Sequence, residues 1–348
     1  MTPSALTRFA AFALFAGIAT VGGNAQAQEV TLKVHHFLGP QSTQHVSMLG
    51  GWCEKLAKES DGKLKCQIYP SMQLGGSPPQ LYDQAKDGVA DVVWTVAGYS
   101  AGRFPKTEVF ELPFMMTNAE ATSRAAWEFY DRYSRDEFTD THVLAVHVHG
   151  PGNIYTVKAP LKTISDFRGL KLRAPTRLTN KMLAMLGATP VGMPVPAVPE
   201  ALSKGVIDGA VIPYEVAPGI KVNELTKYTA EPDRSFNALY TTVFVVAMNK
   251  ARYESLPPAL KQVLDANSGA DFSAFMGKTQ AAADVPGKQK MLDSGSQITV
   301  ISGQELEKWR KATDKLDDQW AAEVSAKGAD GKMLLEQARA LVTKHTAK

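Results

Sequence analysis

Between Asp166 and Tyr214 the stretch DFRGLKLRAPTRLTNKMLAMLGATPVGMPVPAVPEALSKGVIDGAVIPY leaves few folds open. Leu170, Leu172 and Arg173 read as a strand end, and Pro175 disfavours helix for the residue before it. Leu178, Met182, Met185 and Leu186 recur at helical spacing, with Gly187 as a stop. Thr189 to Met193 is short and extended, and Pro196 to Lys204 makes a compact helix closed by Gly205. Val206 to Ile212 is an apolar strand interrupted by Asp208 and Gly209. This βαβαβ order predicts an α/β fold with a mostly parallel sheet and a crevice at the strand ends. Arg173 falls where a strand feeds a helix N-terminus, and there a guanidinium and backbone N–H groups can meet one anion. An interdomain salt bridge or a solvated strand end is the alternative use of such an arginine.

The stretch has an echo upstream. Gln80 to Val93 (QLYDQAKDGVADVV) and Val198 to Val211 (VPEALSKGVIDGAV) share a helix, a glycine, a valine, one spacer and an aspartate. Two lobes of similar topology account for this better than one continuous sheet, with chance similarity as the alternative. Two lobes imply a cleft, where small-molecule sites concentrate. In the first lobe Val30 to His36, Leu64 to Tyr69 and Val89 to Val96 read as strands, and Phe37, Trp94 and Tyr99 cluster at their exits as core or as a pocket wall. Val143 to His149 is a strand entering the second lobe and Leu239 to Met248 an apolar strand returning. Pro257-Pro258 starts a long helix that Pro286-Gly287 kinks or ends.

The balance of 38 basic against 35 acidic side chains, with no basic run, sets nucleic-acid binding aside. Residues 1–27 carry one charge, Arg8, an apolar run from Phe9 to Val21 and the cleavage signal Ala25-Gln26-Ala27, which predicts an exported chain beginning at Gln28. No later apolar run suits membrane insertion. Cys53, in the first helix, and Cys66, in the next strand, can bond in an oxidising compartment; two buried free thiols are the alternative. His147 and His149 share a strand face, but no third ligand has metal-site spacing, so no metal or other cofactor is expected.

GLKLRAP, LGATPVGMP and EALSKGVIDG closely resemble the signature of solute-binding proteins of tripartite ATP-independent periplasmic (TRAP) transporters, the DctP-like family, and the resemblance covers nearly the whole mature chain. It implies a two-lobed, type II-like Venus-flytrap periplasmic binding protein fold with a long helix spanning both lobes. Residues 28–150 plus about 239–275 would form lobe I, and 151–238 plus about 276–348 lobe II. It also implies that Arg173 holds a ligand carboxylate. The expected partners are an organic acid and small and large membrane subunits, with uptake driven by an ion gradient, usually sodium.

Two positions depart from the family pattern. A second arginine common in the family falls on Asn153 here, and an asparagine of the third strand falls on Ile212. One fixed positive charge then remains beside Phe37, Trp94 and Tyr99, which suits an apolar or aromatic monocarboxylate. The candidate ligand-binding set is Arg173, Asn153, Phe37, Trp94, Tyr99 and Ile212, with His36 and Tyr214 at the cleft. A C4-dicarboxylate or sugar acid is the alternative ligand, and a ligand sensor the alternative role. A secreted enzyme acting on carboxylates is a further rival, but the chain has no G-x-S-x-G, H-E-x-x-H or phosphate loop.

Overall fold

The computed structural model describes residues 29–347, and the export segment expected over residues 1–27 lies outside them. Eleven strands form among the described residues: β1 (Val30–His35), β2 (Leu64–Tyr69), β3 (Val92–Val96), β4 (Thr141–Val148), β5 (Gly152–Thr156), β6 (Lys171–Ala174), β7 (Thr189–Gly192), β8 (Gly209–Pro213), β9 (Tyr228–Pro232), β10 (Val243–Asn249) and β11 (Gln297–Ile301). They make two sheets, in the orders β2-β1-β3-β10-β4 and β11-β9-β5-β8-β6-β7. β3, β5 and β8 are buried throughout, as expected of strands covered on both faces.

The sheets are mixed rather than mostly parallel. β1 runs parallel to β2 and β3, and β6 parallel to β7 and β8. β10 is antiparallel to β3 and β4, and β5 antiparallel to β8 and β9. The reversed strand in each sheet is the one whose chain has just crossed from the other sheet, β5 after β4 and β10 after β9. A strand that enters from the cleft edge must run away from it, opposite to the neighbours that end there.

The upstream echo is structural as well. Gly88 and Gly205 take φ of +77° and +67°, a conformation glycine adopts at little cost. Asp91 N–H donates to Lys33 O at 3.0 Å while Lys33 N–H donates to Asp91 Oδ2 at 2.8 Å. Asp208 and Lys171 make the same two bonds at 2.7 and 2.9 Å. Each aspartate thus closes its strand onto the neighbouring parallel strand, so β8 begins at Gly209 and not at Val206.

The long helix expected from Pro258 is three helices, Pro258–Ala266, Gly269–Ala282 and Asp284–Asp293. It breaks at Asn267 and Ser268, where Gly269 takes φ of +85°, and again at Ala283, just before Pro286. The last two still link the lobes: Gly277 packs tightly on Ala119, and Gly287 on the Tyr214 backbone. The C-terminal helix Gly331–Thr346 packs on the first lobe. Lys344 pairs with Glu128 at 2.7 Å and Tyr133 bonds Gln337 at 3.0 Å, whereas the sequence placed residues 276–348 in the second lobe. An amphipathic pattern fixes which face is buried and says nothing of which lobe buries it. Cys53 and Cys66 are bonded, tying the helix Gly51–Glu59 to β2.

Candidate ligand-binding site

Arg173 stands at the C-terminal end of β6, paired with Val191 of β7 and Ala210 of β8. It is 3% exposed. Its Nε donates to Met193 O at 2.9 Å and its Nη1 to Val211 O at 3.1 Å. Two of its five N–H groups therefore fix the guanidinium plane and three remain. Among the described residues no carboxylate pairs with it, which rules out both the salt bridge and the solvated strand end. A buried cation without a counter-charge is costly, so this position favours an anion supplied from outside. Tyr99 lies beside the guanidinium, and its phenol oxygen accepts the Val195 N–H at 2.9 Å. Burial raises that phenol's pKa, keeping it a proton donor. Tyr240, also near Arg173, has a buried hydroxyl with no partner among the described residues.

These groups close one end of a narrow interlobe cavity with about 40 Å³ of free volume. Its wall is aromatic and comes from the first lobe: Phe37 stacks on Trp94 at 5.0 Å, Trp94 on Phe244 at 4.7 Å, and Phe37 meets Tyr99 at 5.6 Å. Trp94 is held by its Nε1–H, which donates to His147 Nε2 at 2.9 Å. The second lobe adds Ile212, Val195 and Val216. The cavity is thus an apolar slot with one cation at its end.

Of the residues singled out from sequence, Arg173, Phe37, Trp94, Tyr99 and Ile212 line this cavity, and Asn153, His36 and Tyr214 do not. Asn153 sits opposite Ile212 in register, and its Oδ1 accepts from Arg234 at 3.3 Å. Tyr214 donates to Glu231 at 2.9 Å. His36 bonds His45 at 3.0 Å behind Trp94, and burial lowers its pKa to about 3. Asn153 and Tyr214 therefore belong to a polar cluster with Glu231, Arg234 and Lys288, whose charges pair with one another. Sequence reasoning missed Tyr240, Phe244, His149, Gln44 and Gln280, all of which line the cavity. The first lies just before β10 and the second is its second residue, and the place of β10 between β3 and β4 is visible only in the topology.

The lobes meet around the cavity. Gln44 of the first lobe donates to Glu215 of the second at 2.7 Å, and Gln280 donates to the same carboxyl at 3.2 Å. Arg177 pairs with Glu108 across the gap. Burial pushes Glu215 up to about 7 and Glu111 up to about 8. Glu111 accepts the Val243 N–H at 2.9 Å beneath the aromatic wall. Among the described residues no group of three or more His, Cys, Asp and Glu side chains gathers as for a metal.

Two lobes joined by crossing strands and closed over a slot with one cation form the architecture of a solute-binding protein. The chain belongs to the bacterial extracellular solute-binding protein family 7 (DctP), whose profile matches residues 34–323. It is similar to a TRAP solute-binding protein from Rhodoferax ferrireducens T118, solved with copurified benzoate, at 52% identity and TM-score 0.91, covering 91% of this chain and 99% of that one. A marine-metagenome TRAP protein specific for aromatic acid ligands, solved with 3-hydroxybenzoate, is 47% identical with TM-score 0.90 over 92% and 99%. A Bordetella bronchiseptica TRAP protein with bound mandelate is 27% identical with TM-score 0.84 over 90% and 99%. Proteins of this family are periplasmic binding proteins, and no described helix here is long and apolar enough to cross a membrane.

Proposed function

We propose that this protein captures an aromatic monocarboxylate in the periplasm and delivers it to the small and large membrane subunits of a TRAP transporter for ion-gradient-driven uptake. Export through residues 1–27 would place it there. The observation that carries the ligand class is the Arg173 guanidinium, buried, without a carboxylate partner, at the end of a slot walled by Phe37, Trp94 and Phe244. Its three remaining N–H groups form a two-point ion pair with a carboxylate, which a planar fork suits better than lysine. The ring of the acid lies against the aromatic wall. A second carboxylate would find no second cation in the cavity lining, at about 1–3 kcal/mol for each unpaired polar group. Ligand contacts from both lobes favour the closed state, and only such differential affinity shifts an open–closed equilibrium.

A thermal-shift panel of benzoate, mandelate, succinate and glucuronate tests this. Benzoate or mandelate should raise Tm most, since ligand at a hundredfold excess over Kd stabilises by about 2.7 kcal/mol. Arg173→Ala should abolish the shift. A best response to succinate or glucuronate would overturn the aromatic assignment.

A further inference from the structure

We propose that the cavity selects hydroxylated aromatic acids, through a pole of hydrogen-bond acceptors made by His149, Gln280 and Gln44. This rests on the reading of the cavity as an aromatic-acid site and adds the second group its ligand carries. Two sets of polar atoms in the cavity lining bear on the ligand. One set is donors: Arg173, the Tyr99 phenol and the partnerless Tyr240 hydroxyl. The other is acceptors. His149, 3% exposed, directs Nδ1 at the carbonyl oxygen of Gly150, so Nδ1 carries the proton and Nε2 is a lone pair with no hydrogen-bond partner among the described residues. Burial and the nearby Arg173 charge keep the ring neutral at physiological pH. Gln44 and Gln280 are both nine-tenths or more buried. Each spends its amide N–H₂ on Glu215, and the Oε1 of each is buried without a partner among the described residues.

All three side chains line the same cavity. Gln280 and Gln44 share one carboxyl. A carboxylate brings only lone pairs and would be repelled here, so the carboxylate goes to Arg173 and this pole calls for an O–H. Buried acceptors left unpaired are costly, so a ligand that brings a donor gains over one that does not. A hydroxyl on the ring or on the α-carbon supplies it, and a methyl ether at the same position does not.

Calorimetric titration of the full chain compares benzoate with 2-, 3- and 4-hydroxybenzoate, mandelate and the methyl ether of each. Wild type should bind at least one hydroxy acid about tenfold more tightly than both benzoate and the matching ether. In His149→Phe and, independently, in Gln280→Leu, that ratio should fall towards one, with circular dichroism confirming the fold of each variant. Equal affinity of wild type for benzoate and every hydroxy acid would overturn the proposal, as would a ratio that survives in both variants. Failure of wild type to bind benzoate and all the hydroxy acids would instead overturn the aromatic-acid reading itself.

Discussion

The phenol oxygen of Tyr99, carried by the first lobe, accepts the backbone N–H of Val195 of the second at 2.9 Å while lying beside Arg173. One side chain therefore joins cleft closure to the charge that holds the ligand. Tyr99→Phe strands the Val195 N–H and removes a donor from the carboxylate end. At about 1–3 kcal/mol for a buried group left unpaired, benzoate affinity should fall about five- to hundredfold. Titration calorimetry measures it, and an unchanged Kd would show that the bond does not contribute to the bound state.

Arg173→Lys keeps the charge and loses the geometry. The native guanidinium bonds Met193 O and Val211 O and still has N–H groups for a ligand. A lysine ammonium has three donors on one point and cannot reach both carbonyls and two carboxylate oxygens in a plane. Losing one or two charge-assisted bonds at about 1.5–3 kcal/mol each predicts a Kd at least tenfold weaker, with the melting temperature of the ligand-free protein changed far less. Wild-type affinity in the Arg173→Lys variant would mean that point charge alone suffices.

Much of this was legible in the chain. Arg173 before Pro175 and the Gly–Val–x–Asp echo mark strand ends, because proline and glycine punctuate the backbone locally and aspartate bonds a neighbouring strand. Phe37, Trp94 and Tyr99 were legible for the same reason, since each lies in or just past a strand that stops at the cleft. Tyr240, Phe244 and His149 were not. They sit on the segments where the chain crosses between lobes, and nothing local says that β10 inserts between β3 and β4. Asn153 was drawn towards the site by motif counting. It stands opposite Ile212 as the count requires, yet Arg234 takes its side chain away from the cavity, a long-range contact that no local pattern encodes.

Gly98 meets Thr176 across the lobes, and a Cβ there would lie 2.5 Å from the Thr176 Cγ2. Its φ is not in the left-handed region, so the glycine is required by close approach and not by backbone conformation. Gly98→Ala should keep the lobes from closing fully. The expected result is weaker benzoate binding and a larger radius of gyration with ligand than wild type shows by small-angle scattering. Identical scattering profiles for the two liganded proteins would contradict it.

The Cys53–Cys66 bond closes a short loop, with a sequence separation of 13, and neither cysteine lines the cavity. A loop of about 15 residues is worth about 3 kcal/mol in the chain-entropy account. Cys53→Ser with Cys66→Ser should lower Tm by roughly 5 °C, at about 2 °C per kcal/mol for a chain of this size, and leave benzoate affinity unchanged. A large loss of affinity would mean that the helix Gly51–Glu59 helps to set the aromatic wall.

Stability should fall as pH rises above about 6.5. Burial pushes Glu111 up to about 8 and Glu137, Glu215 and Asp284 up to about 7, against an unfolded value of 4.5 or below. The folded chain therefore holds more protons than the unfolded chain between pH 4.5 and 8, and loses that stabilisation as pH rises through the window. Buried histidines act with the opposite sign: His36 and His147 are lowered to about 3 and His149 to about 4, so stability is lost as pH falls from 6.5. Below about pH 4.5 the paired carboxyls held below their ordinary range, Glu231, Glu305 and Glu323 among them, act in the same direction as the histidines; between 4.5 and 6.5 the histidines and the buried carboxyls oppose, and above 6.5 the buried carboxyls dominate. Calorimetric Tm of the ligand-free protein should therefore peak between pH 5 and 6.5 and decline by pH 8.5. Glu111→Gln keeps an oxygen for the Val243 N–H and removes the charge, so it should flatten the alkaline decline while changing little at pH 5.5. A Tm that rises from pH 6.5 to 8.5, or a Glu111→Gln variant with the wild-type slope, would place these carboxyls in contact with solvent and remove the basis for the closed cleft.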